Sequence, residues 1–113
     1  MRTSDLKGAA LDWAVAKCEN PEWSDEDAIV NVTTFDDYDG TICNYSTDWA
    51  QGGPIIEREL IGLEFDGAEN FKWWGYDPKA DNYVHGETPL IAAMRAFVAS
   101  KLGEFVDIPE ELT

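Results

Sequence analysis

Two features of this chain carry residue types suited to chemistry: a tryptophan close to a glycine pair, and an arginine on a strip of small side chains. Trp49 is followed, after Ala50-Gln51, by Gly52-Gly53-Pro54 and two β-branched residues. A glycine pair gives the backbone access to positive φ and lets a ligand or another chain come close, while Pro54 suits the first position of a helical turn. The stretch Ser46 to Glu57 reads as a binding loop, and equally as a tight turn whose Trp49 covers the core. At helical spacing Thr88, Ala92, Arg95 and Ala99 line one face. A guanidinium there suits bidentate pairing with a phosphate or carboxylate; the plain alternative is an exposed arginine, or an ion pair with one of 23 acids.

Other machinery is scarce. His85 is the single histidine, and nothing around Ser24, Ser46 or Ser100 resembles a nucleophile elbow. Cys18 and Cys43 are the two cysteines, without a Cys-x-x-Cys pair or a histidine cluster, so no zinc site is expected and reduced thiols are. Asp36, Asp37 and Asp39 form an incomplete calcium loop. No metal, no cofactor and no catalytic residue is therefore expected, and an enzyme ranks below a binding protein.

Twenty-three acidic against 8 basic residues give a net charge of −15. Binding to nucleic acid or an anionic membrane needs clustered Lys and Arg, so neither partner is expected; a basic protein partner, or none, fits better, and an acidic mimic of nucleic acid stays open. The 44% hydrophobic and 12% aromatic content argues for a folded globule, and 113 residues suit a single domain over 1–113. No run long and apolar enough to span a membrane appears, and Met1 to Asp5 lacks the apolar core of a signal peptide.

The elements that must position these residues follow from caps and periodicity. A helix capped at Thr3 or Ser4 and ended by Asn20-Pro21 is expected to about Cys18, with a broad apolar arc that includes Trp13. Glu22 to Asp27 reads as a solvated acidic loop. Ala28 to Thr34 is β-branched and reads as a strand, returning as a hairpin through Thr41 to Tyr45. Pro54 to Glu59 suits one helical turn. Strands are expected at Leu60–Phe65, Phe71–Tyr76 and Tyr83–His85; in the second, Trp73 and Trp74 fall on opposite faces, so one needs cover, and a two-fold homodimer is expected to supply it. Thr88 and Pro89 open a second helix that stops at Gly103 and buries Leu90, Met94, Phe97 and Leu102. The expected fold is α+β: an antiparallel sheet of about four to five strands with two α-helices packed on one face.

Three blocks carry a resemblance. Thr3-Ser4-Asp5-Leu6 with Gly8 to Ala16, Ser46-Thr47-Asp48-Trp49 with Gln51 to Glu57, and Thr88 to Arg95 with Val98 to Gly103 resemble the phage NinX-like family, in the expected order. The resemblance implies a small accessory protein acting in the cytoplasm of a phage-infected bacterium. It brings no catalytic residues. In that context a non-catalytic binder of a nucleotide-derived immune signal is favoured, with a protein that binds and inhibits a host protein, or mimics nucleic acid, as the alternative. Trp13, Trp49, Trp74 and Tyr76 would stack on a base, and Gly52 and Gly53 would offer N–H groups. Arg95 would hold phosphate, aided by the helix start at Thr88. Asp48, Gln51, Pro54 and Ile55 complete the candidate set, and the loop Asp48–Ile56 and the Arg95 face are expected to border one pocket.

Overall fold

A computed structural model describes residues 1–34, 42–67 and 72–113. The described residues form helices α1 (Gly8–Glu19), α2 (Asp25–Thr33), α3 (Trp49–Glu59) and α4 (Pro89–Leu102), with strands β1 (Gly62–Asp66), β2 (Lys72–Asp77) and β3 (Asn82–Gly86). Short 3-10 turns occupy Thr3–Asp5 and Glu110–Leu112. The α+β class is as expected, but the antiparallel sheet has three strands in the order β1-β2-β3, and four α-helices replace the expected two.

The sheet packs on α4. A Cβ at Gly75 would lie 2.4 Å from the carbonyl oxygen of Ala92, and one at Gly86 would lie 2.3 Å from its amide nitrogen. These glycines let the helix backbone sit directly on β2 and β3. The expected placement of both terminal helices on the sheet is corrected: α1 packs on α2 and α4 instead, and α3 also packs on α4. Leu11, Met94 and Phe97 are buried as expected, whereas Leu102, at the last turn, is 43% exposed.

Three local expectations fail for identifiable reasons. The first helix does not begin at Thr3: Thr3 Oγ1 donates to Gly103 O at 2.6 Å and Thr3 N to Glu104 O at 2.8 Å, tying the first turn to the end of α4. Ala28 to Thr34 is not a strand. Ser24 and Asp27 form a reciprocal capping box, with Asp27 N donating to Ser24 Oγ and Ser24 N to Asp27 Oδ2, and this starts α2 inside the supposed acidic loop. Ala28 and Val32, one helical repeat apart, are then buried, so packing overrides β-propensity. The return strand fails with it: Ile42 to Tyr45 is irregular and is held by Cys43 N donating to Asn31 O at 2.9 Å. The incomplete calcium loop at Asp36, Asp37 and Asp39 lies outside the described residues. Cys18 and Cys43 are free thiols, and burial pushes Cys18 up to about 12.

At the far end of α3, Glu59 is buried and gathers Arg58 Nε at 2.8 Å, Lys79 Nζ at 3.0 Å and Lys101 Nζ at 3.5 Å. Arg58 also pairs with Glu19 of α1. Hydrogen bonding from Arg58, and then from Lys79, lowers Glu59 from its ordinary 4.5 to about 2. A depressed carboxylate stabilises the fold above its unfolded pKa and loses that contribution as pH falls through its folded one. In urea titrations, the stability gap between the natural chain and Glu59→Gln should be full above about pH 4.5 and should close towards pH 2.

Candidate functional site

The glycine pair is not a corner. It lies inside α3, whose start is capped by Asp48 Oδ1 accepting from Ala50 N at 2.9 Å. Gly52 N donates to Asp48 O at 2.9 Å, so it offers no free N–H to a ligand. The absence of its side chain serves packing: a Cβ on Gly52 would come within 2.5 Å of Leu90 Cδ1 and 2.6 Å of Tyr45 O. Gly53 and the exposed Pro54 continue the helix, and Ile55 is core. Gln51 fastens the preceding segment, donating from Nε2 to Ile42 O at 2.8 Å and to Asn44 Oδ1 at 2.7 Å while Oε1 accepts from Asn44 N.

Trp13 is likewise structural. It is buried, and its indole N–H donates to Asp25 O at 3.2 Å, joining α1 to the first turn of α2. Thr88 caps α4, its Oγ1 accepting from Ile91 N at 3.1 Å. Trp49 is half exposed and shares a hollow of about 210 Å3 with Thr88, Ser46, Thr47, Leu90 and Ile91.

Arg95 is elsewhere. It is neither exposed nor paired with a carboxylate: at 7% exposure, Nε donates to Leu6 O at 2.7 Å and Nη1 to His85 O at 2.9 Å. Desolvation draws its pKa down from the ordinary guanidinium value, opposed by Glu87 and Asp5. The expected single pocket is thus two, because Arg95 borders a separate cleft of about 440 Å3 with Trp74, Lys72, Asn82, Tyr83 and His85. Asp5 and Glu104 also line it.

The strand register assembles the aromatic part of this cleft. Trp74 pairs with Glu64 on β1 and His85 on β3, while Tyr76 pairs with Tyr83, so these side chains share the sheet face turned away from α4. Trp73 lies on the other face and packs on Phe65, with ring centroids 5.2 Å apart. The Trp74 and His85 rings lie 3.4 Å apart by centroid, and Tyr83 meets Trp74 edge-on at 5.9 Å. Tyr76 stacks near Tyr83 at 4.7 Å and donates its hydroxyl to Asp81 Oδ1. His85 Nε2 is buried with no hydrogen-bond partner among the described residues.

Cations are distributed unevenly. Arg2, Lys17, Arg58, Lys79 and Lys101 each pair with a carboxylate, whereas Lys7, Lys72 and Arg95 do not among the described residues. Two of those three border the cleft. Of the expected ligand residues it therefore unites Trp74 and Arg95. Lys72, Tyr83 and His85 were missed, because only the β2–β3 register, and not residue spacing, brings His85 against Trp74.

The sequence profile of the bacteriophage P22 NinX family matches residues 2–101. The chain belongs to that family. Family membership makes it a phage accessory protein, and the matched span includes every residue of the cleft except Glu104. No curated protein matches the chain. No described helix is long and apolar enough to cross a membrane.

Arg95 joins α4 to Leu6 and β3, so its loss strands two carbonyls as well as removing a charge. Arg95→Ala should destabilise the fold by about 2–4 kcal/mol, the scale of losing charged hydrogen bonds and leaving partners unsatisfied. Chemical denaturation checks this, and a change within 0.5 kcal/mol would show that the staple is dispensable.

Proposed function

We propose that this NinX-family protein binds and sequesters, without catalysis, a nucleotide-derived host immune signal in the cytoplasm of the infected cell. The supporting observation is the cleft beside Trp74, where Arg95 is held in place by two carbonyls and Lys72, without an ion pair among the described residues, stands nearby, with Asp5 and Glu104 also in the lining. Arg95 uses Nε and one Nη1 proton on the protein, leaving further guanidinium donors for an anion. Trp74 and Tyr83 offer ring surface to a base. The charge of −15 opposes an anion at long range, but fixed donors in a partly buried cleft act within the screening length of roughly 8 Å.

The test incubates the protein with cyclic and linear nucleotide signals of the kind made by cyclase and TIR-domain defences, then filters and heats it. Sequestration returns intact signal on heating, with stabilisation of about 2.7 kcal/mol at a hundredfold excess over the dissociation constant. Trp74→Ala and Lys72→Ala should lose that gain, whereas Trp49→Ala, in its separate hollow, should keep it. A cleaved product would replace binding by catalysis. No depletion and an unchanged melt would overturn the reading in favour of the acidic inhibitor of a host protein.

The same proposal includes a two-fold homodimer, supported by the exposed apolar side chains Leu60, Leu102 and Phe105. Light scattering at tens of micromolar should give twice 12.6 kDa, and a monomer would remove the dimer from the proposal.

A further inference from the structure

Trp74 also borders a second hollow, on the β1 side of the sheet, which has carboxylates but none of the cations of the first cleft. It measures about 540 Å3 and is lined by Glu64, Phe65, Asp66, Gly67, Trp74 and Tyr83. Among the described residues its lining holds three aromatic residues and two carboxylates, and no cation. All eight Lys and Arg side chains lie among the described residues, and none pairs with Glu64 or Asp66. Lys72 stands opposite Asp66 in the strand register and still makes no ion pair with it. Phe65 and Tyr83 are each about half exposed, at 50% and 55%, although they are large apolar side chains.

Aromatic faces carry negative potential and attract organic cations, the more so beside carboxylates that have no other counter-ion. The hollow therefore has the chemistry of a receptor for a guanidinium or ammonium group. Its shape extends along the sheet: an adjoining hollow of about 160 Å3 shares Glu64, Trp74 and Tyr83 and continues to Gly62, Leu63 and Tyr76. A compact ion would fill one end of such a groove, whereas an extended polypeptide would run along it and place one side chain in the larger hollow. The net charge of −15 steers basic proteins towards the molecule over longer distances.

The geometry points to a docking groove for a basic segment of a partner protein, which lays an arginine or lysine side chain beside Trp74 and Tyr83 against Glu64 and Asp66. This inference stands apart from nucleotide binding, since it uses the β1 side of Trp74 and neither Arg95 nor Lys72.

The whole chain is titrated with a capped, extended Gly/Ser peptide carrying three arginines. The readout is the indole N–H resonance of Trp74, assigned with Trp74→Phe. The peptide should move that resonance and bind about tenfold more tightly than its neutral citrulline counterpart. Glu64→Gln combined with Asp66→Asn should lower the affinity about tenfold with an unchanged melt, because neither carboxylate makes an ion pair among the described residues. Glu110→Gln combined with Glu111→Gln removes the same charge from the distant 3-10 turn and should leave binding intact. Equal binding of the citrulline peptide, equal losses from the two double variants, or no movement of the Trp74 resonance would overturn the inference. Free arginine or spermidine binding as tightly as the peptide would overturn the protein partner in favour of a small cation.

Discussion

Everything in this fold depends on how closely α4 approaches the sheet. Ala92 sits against Gly75 of β2 and Gly86 of β3 at distances that no Cβ could share. With the sheet so near on one side, and α1 and α3 packed on others, α4 has little surface left for water. Most of its residues from Leu90 to Val98 are buried, and its alanines matter as much as Met94 and Phe97, because they keep the neighbouring backbones close. Helices α1 and α3 and the three short strands are thereby gathered around one central rod.

That enclosure also decides the state of Arg95. A charged side chain on a helix covered on nearly all sides cannot reach water freely, and an isolated buried charge is strongly unfavourable. The main-chain oxygens of Leu6 and His85 meet the guanidinium without adding negative charge of their own. The cation makes no ion pair with a carboxylate among the described residues, in a protein with 23 acids, and Glu87 and Asp5 act on it without direct pairing. Glu59 shows the opposite solution, one buried carboxylate surrounded by three cations that join α3, α4 and the β2–β3 turn. Glu59 serves architecture, and Arg95 serves architecture while keeping part of its donor set open to the cleft.

The sequence was most legible where a cap or a strict alternation governs the chain. Thr88, Pro89 and Gly103 delimit α4 as expected, and alternation places Trp73 and Trp74 on opposite faces. It was least legible where one local signal outweighs another. The β-branched run after Ala28 favours a strand, but Ser24 and Asp27 start a helix whose buried side chains complete the α1 contact. Gly52-Gly53-Pro54 has turn composition, yet the first glycine is there because Leu90 and Tyr45 leave no room for a side chain. The candidate site divides along the same line. Arg95 and Trp74 could be read from residue type, whereas the partners of Trp74 come from the register of a hairpin, and Arg95's burial comes from packing that no spacing encodes.

Trp74 borders two chambers, one lined by Lys72 and Arg95 together with Asp5 and Glu104, and the other by Glu64 and Asp66 without a cation. His85 already lies against the ring, so the indole has few ways to adjust independently on its two sides. Any guest that fixes its rotamer from one chamber fixes it for the other. If both chambers take guests, their occupancies are linked through that shared rotamer: the factor by which one guest changes the affinity of the second equals the reciprocal effect.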